Sequence, residues 1–215
     1  MTTFVRELEA FKAERLRAIT DAGDVSLASD AGGDPTAMLH VALANEISVS
    51  ELAAAWMPST REIEVKIAFA RQTGDEAGHF QLVARRLAAL GVDLAAYQPP
   101  PDNPLFTYMK TLTGTVERVA AGLFTLESIA HAVNEQFMAF CTRRGDVDTV
   151  QIYRDYIQPD ERAHQLLGQE LLGKLAITPG DQLAAKNVVA TVLEIATSTR
   201  KAAAARLGAA CFPGC

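Results

Sequence analysis

Two short runs in this 215-residue chain could hold metal ions: Glu76-Ala77-Gly78-His79 and Glu161-Arg162-Ala163-His164. Residues at i and i+3 share one helix face, so each run offers a carboxylate and an imidazole to a single ion. Glu46 precedes the first run by thirty residues, and Glu127 precedes the second by thirty-four. Four carboxylates and two neutral imidazoles nearly balance two divalent ions and leave positions open for oxygen chemistry. Glu46, Glu76, His79, Glu127, Glu161 and His164 are therefore expected to hold two iron ions, with manganese as the alternative. Surface Glu and His are common, so either run alone would say little. The weight lies in the repetition.

Asp75 and Asp160 directly precede the two motifs. Each can accept the free imidazole N–H of a ligand histidine and so fix its tautomer; the plainer reading is a solvated helix residue. His131 lies one turn after Glu127, and an unperturbed pKa near neutrality suits it to relay protons. It is the candidate catalytic residue, against the alternative of a packed, hydrogen-bonded histidine. His40 could face the same site. Glu51, Glu117 and Glu135 are rival carboxylates. Ligands at one height on antiparallel helices must be equally far from the turn, which favours Glu46 and Glu127.

Four helices are needed to position these groups. Ala, Leu, Glu, Arg and Gln dominate, and β-branched residues do not alternate over long windows, so no strand is expected. An N-terminal helix is predicted over about 3–20, followed by a Gly/Asp/Ser-rich loop. Asp34-Pro35 caps a helix that stops before Pro58. Ser59-Thr60-Arg61-Glu62 has capping-box spacing and opens a second helix, closed by Gly91. The run GVDLAAYQPPPDNP cannot be helical throughout. A third helix runs to near Gly145. A fourth, capped by Asp146 or Asp148, runs to about Lys174. The last covers Thr178-Pro179 to about Leu207. Pro159 lacks the N–H of a helix hydrogen bond and should distort the fourth helix beside Glu161. Two antiparallel pairs joined by a long link give an all-α, ferritin-like four-helix bundle with one long crossover, plus an N-terminal and a C-terminal helix. The reading is a single domain over 1–215 with its core bundle at about 35–174.

The net charge of −6 leaves no basic excess for a phosphate backbone, so nucleic acid is not an expected partner. Apolar runs stop well short of the ~18 residues that a membrane span needs, and no leader pattern opens the chain. A cytoplasmic protein without membrane contact is expected. Three cysteines make no disulfide framework. Cys211 and Cys215 read as a frayed, reduced tail rather than a redox pair.

At these residues the sequence resembles the ferritin-like di-iron subunits of bacterial phenylacetyl-CoA epoxygenase, over roughly residues 40–172. The resemblance rests on Glu46-Ile47, Trp56, Pro58, Lys66 and Asp75-Glu76-Ala77-Gly78-His79. In the second half it rests on Glu161-x-x-His164-Gln165-x-x-Gly168-x-Glu170-Leu171-Leu172. It implies a di-iron monooxygenase that takes O2 and a small organic or acyl-CoA substrate. It also implies an electron-donor reductase and a homo-oligomer or hetero-complex of ferritin-like subunits. The chain is shorter than that family's catalytic subunit. The ligand frame is also similar to ribonucleotide-reductase radical subunits, but their radical tyrosine, four residues after the first motif histidine, is replaced by Val83. A ferroxidase or rubrerythrin-like peroxidase, and a non-catalytic subunit, are the rival readings.

Overall fold

The computed structural model describes residues 1–29, 32–101 and 103–214. Helices α1 (Thr3–Ala28), α2 (Pro35–Trp56) and α3 (Ile63–Ala89) come first, then α4 (Pro104–Lys110) and α5 (Thr115–Val119). A π-helical segment, Ala120–Leu126, leads directly into α6 (Glu127–Arg143). Helix α7 (Val147–Ile152) passes through a second π segment, Tyr153–Ile157, into α8 (Gln158–Leu175), and α9 (Pro179–Leu207) ends the series. Among the described residues there is no strand.

Helices α2 and α3 run in opposite directions. Ser50 donates to the Thr73 carbonyl, while Glu46, one turn earlier in α2, meets His79, later in α3. The second pair repeats this: Gln158 donates to the His131 carbonyl, while Glu127 meets His164. After the link that follows α3, Asn103 caps the amides of Leu105 and Phe106 and opens the next helix.

Several boundaries differ from the sequence reading. Helix α1 continues through the expected loop to Ala28 because α6 packs against it. Gln136 donates to the Thr20 carbonyl and to Asp24, and its amide lies where a Cβ on Gly23 would be. The expected capping box at Ser59 does not form. Thr60 turns back to the Trp56 carbonyl, Glu62 accepts from Thr115, and α3 starts at Ile63. Buried Arg118 donates to the Trp56 and Leu112 carbonyls, tying this turn to the α4–α5 link. The expected third helix is broken between α4 and α5, and Pro159 does mark a distortion. It has no N–H to return to the Asp155 carbonyl, and the turn before it widens into the second π segment.

Two apolar clusters divide the interior. Along α2, Met38–Leu43 belong to one and Val49–Trp56 to the other. Along α3 the pattern reverses, with Val65–Phe69 in the second and Val83–Leu87 in the first. Glu46, Glu76 and His79 fall in the gap, as do Glu161 and His164 between Ile157 and Leu171. The bundle is thus dry at both ends of a buried polar layer.

Gly168 sets how closely α8 approaches the first π segment: a Cβ there would lie 2.7 Å from the Leu123 carbonyl carbon and the Phe124 nitrogen. Backbone cannot yield as a flexible side chain does, so Gly168→Ala should destabilise the chain by about 1–3 kcal/mol. Urea unfolding should show a lower midpoint at unchanged slope.

Candidate metal centre

The sequence-predicted ligands converge. Glu46 comes from α2, Glu76 and His79 from α3, Glu127 from the first position of α6, and Glu161 and His164 from α8. All six are buried, none more than 5% exposed. They form two groups, Glu46/Glu76/His79/Glu161 and Glu76/Glu127/Glu161/His164, with ligand atoms within 4.8 Å of one another in each. Glu76 and Glu161 belong to both groups.

The histidines have defined orientations. His79 Nδ1 faces inward, 3.3 Å from Glu76 and 3.5 Å from Glu46. His164 Nδ1 faces inward, 3.5 Å from Glu76 and 3.6 Å from Glu127. Each Nε2 points outward to an aspartate on the opposite helix: His79 to Asp160 at 3.1 Å, His164 to Asp75 at 3.0 Å. Each aspartate thus serves the other motif's histidine, not its own. Successive residues on a helix point about 100° apart, so a residue beside an inward ligand is turned toward the neighbouring helix. With Nε2–H donating to a carboxylate, Nδ1 is the nitrogen that would turn to a metal ion once its proton has left.

Buried atoms without partners show how well the cluster suits a cation. Glu76 Oε1, Glu161 Oε2 and His164 Nδ1 are buried and make no hydrogen bond. Unsatisfied buried polar atoms are costly, and coordination would satisfy all three. Gln72 donates to Glu127, fixing one of its oxygens.

Protons take the cation's role in the metal-free cluster. Burial, with Glu76 adding repulsion, raises Glu46 to about 8. Burial alone would depress His79, but the Glu46 and Glu76 carboxylates outweigh it and raise it to about 12. Glu127 and Glu76 likewise overcome burial at His164 and raise it to about 11. Burial pushes Glu76 upward, yet the facing imidazolium groups of His164 and His79 win and hold it well below the carboxylate range. Burial and the repulsion of Glu127 keep Glu161 well above it.

Both π segments lie next to ligands. In the first, Thr125 donates to the Ala120 carbonyl, five residues back, at 2.7 Å, and Ser128 to the Phe124 carbonyl at 2.7 Å. Buried Lys12 of α1 then donates to that same carbonyl at 3.1 Å and to Ser128 at 2.6 Å, with its ammonium 3.8 Å from the Phe124 ring centroid. Glu9 pairs with Lys12 at 2.9 Å. A buried ammonium therefore pins the widened turn that aims Glu127. The sequence reading missed Lys12, and a lysine on a mostly apolar helix face was its only signal. It also missed Tyr153, fully buried in the second π segment with an unpartnered hydroxyl. Burial, with Glu46, Cys141 and Glu161 adding to it, pushes that phenol well above its usual pKa.

His131 is not brought into the cluster. It is half-buried, and burial lowers its pKa, with Glu135 opposing and Arg162 assisting. His40 also lies outside the ligand groups. Cys211 is buried and free, so the expected frayed tail is packed there; Cys215 lies outside the described residues.

No family model and no curated protein matches the chain. A crystal structure of a domain of unknown function with a heme oxygenase-like fold, from Shewanella denitrificans OS217, superposes with a TM-score of 0.70. The match covers 96% of this chain and 96% of that one at 12% identity. The chain therefore has an all-helical, heme oxygenase-like fold, with a buried Glu/His cluster that could hold metal. Among the described residues no helix is long and apolar enough to cross a membrane.

Two predictions follow from the geometry and charge. The raised histidines stabilise the metal-free fold fully below the free value of 6.5, and this is lost as pH climbs toward about 11 and 12. Glu46 acts in the same direction between 4.5 and about 8. Thermal melts of chelator-treated protein should therefore fall from pH 6.5 to 8, while metal affinity rises. Calorimetry in buffers of different ionisation enthalpy should show proton release on binding. Separately, Asp160→Asn should disturb the His79 ring resonances and Asp75→Asn those of His164, each lowering metal affinity about tenfold. The same-motif pattern in NMR would mean the crossing is wrong.

Proposed function

We propose that this chain is a non-haem di-metal oxidase or monooxygenase that uses O2 to oxidise a small organic substrate. The observation carrying the reading is the pair of ligand groups sharing Glu76 and Glu161, each closed by a histidine whose outer nitrogen is tied to an aspartate. Two iron ions bound there would supply electrons and open positions for reductive activation of O2. Glu46, Glu76, His79, Glu127, Glu161 and His164 would hold them. Asp160 and Asp75 hold the imidazoles in the tautomer that binds, and Gln72 restrains Glu127. The apolar clusters above and below exclude water. His131 enters only as an outer proton relay, because the charges acting on it are those of Glu135 and Arg162. An external reductase would supply electrons. The finer reading, an acyl-CoA substrate and a multi-subunit assembly as in phenylacetyl-CoA epoxygenase, rests on the sequence resemblance alone.

One observation favours a second reading. The cavity beside the ligands measures only about 10 Å³, room for about one water and far too small for an organic molecule. A ferroxidase or rubrerythrin-like peroxidase needs no more. A non-catalytic subunit is disfavoured, because all six ligand positions are filled by ligand-type residues.

Elemental analysis after anaerobic Fe(II) loading should find two ions per chain, and about one or fewer in His79→Ala or His164→Ala. With a reductant and labelled O2, mass spectrometry across a panel of organic acids, aromatics and acyl-CoA thioesters should find one labelled oxygen atom in a product. Rapid iron oxidation with no labelled product would establish the ferroxidase instead.

A further inference from the structure

The segment following α9 lies directly against the candidate metal site. Gly208 turns the chain with φ at 74°, and residues 209–214 run back over the bundle as an irregular, bent strap. Cys211, Phe212, Pro213 and Gly214 are buried. Gly214 shares the small cavity's wall with Asn45, Glu46, Glu76, Glu127 and Glu161. Its N–H donates to Asn134 at 3.2 Å.

Arg200 of α9 holds the strap. Its guanidinium donates to the carbonyls of Phe212 at 2.7 Å, Ala210 at 3.4 Å and Gly214, and stacks 3.9 Å from the Phe212 ring centroid. On the strap's outer side is a cleft of about 370 Å³, lined by Val41, Asn45, Arg200, Ala203, Arg206 and Phe212. Asn45 borders both spaces. The strap is therefore part of the wall between a ligand-sized cleft and a cavity too small for a substrate.

We propose that residues 209–214 are a displaceable strap, and that the cleft behind it admits a small organic carboxylate with an apolar body. The proposal rests on the di-metal oxidase reading and deepens it. The strap has no helical hydrogen bonds of its own; Arg200, Ser26 and Asn134 hold it through a few side-chain hydrogen bonds, and Cys211 and Phe212 through packing against the Met38 cluster, contacts that can be released without moving a ligand helix. The cleft combines apolar walls with two arginines, and its volume falls within the range of small-molecule sites, about 300–1,000 Å³. A carboxylate is a stronger acceptor for guanidinium than a neutral carbonyl. An acid entering the cleft exchanges with the strap at Arg200, the strap lifts, and the cleft and metal cavity become one chamber.

Hydrogen exchange on the full chain tests this directly. Strap amides should exchange faster than those of α9, and decanoate, but not decanol, should accelerate them several-fold. Arg200→Met should abolish that difference between acid and alcohol. Gly214→Ala offers a route that spares Arg200, since φ at 75° and the contact with Asn45 both oppose a side chain there. It should speed Co(II) uptake by the metal-free protein about tenfold at unchanged stoichiometry. Strap protection equal to that of α9, with and without decanoate, would overturn the proposal, as would wild-type Co(II) uptake in Gly214→Ala. Equal acceleration by decanol would overturn the choice of a carboxylate. If the wild-type protein takes up no Co(II), the metal reading fails, while strap exchange still decides the strap.

Discussion

Six ionisable side chains packed into a dry helical interior impose the constraint that the remaining structure answers. Four carboxylates cannot all stay ionised there without cations, and the metal-free cluster responds by holding protons on Glu46, Glu161 and both histidines. Even so, three buried ligand atoms keep no hydrogen-bond partner. Such an arrangement is poorly explained as packing, because apolar residues of similar volume would fill the layer at lower cost. It is readily explained if divalent ions replace the protons.

Aiming these groups requires departures from ideal helix. An α-helix presents a given face only every 3.6 residues, and four helices rarely bring their ligands to one height without adjustment. The two π segments supply it, one ending just before Glu127 and the other four residues before Glu161. Each leaves carbonyls that ordinary helix geometry no longer satisfies. Thr125, Ser128 and Lys12 serve those of the first. Gly168 then lets α8 approach that segment more closely than any side chain would allow. Helix α1, which contributes no ligand, is thereby joined to the position of Glu127.

Much of this could be read from the residues. The Glu-x-x-His pairs, the turn midpoints and the Pro-rich link led to the helix pairing and to all six members of the cluster. What escaped depended on contacts between elements distant in sequence. The crossed aspartates require knowing which helix faces which. The extension of α1 past residue 20 depends on Gln136, more than a hundred residues away. The failed capping box lost Glu62 to Thr115. His131 shares a helical period with Glu127, but it lies a turn further along α6 and outside both ligand groups, and periodicity cannot show at what height the other helices bring their ligands together.

The fold likeness does not choose between the two catalytic readings, because one scaffold hosts unrelated chemistries and function lies in the site. The difference between them is space. Iron oxidation needs ligands, O2 and a way out for electrons and protons, all compatible with a cavity of about 10 Å³. Oxidation of an organic molecule needs a chamber beside the ligands, and the bundle core, close-packed in both apolar clusters, cannot supply one by small side-chain shifts. Room must come from an element that can leave. The ligand helices cannot leave without taking ligands with them, whereas the segment over 209–214 carries none of the six ligands and already borders a cleft of about 370 Å³. The organic-substrate reading therefore depends less on the ligands, which both readings share, than on whether that segment moves.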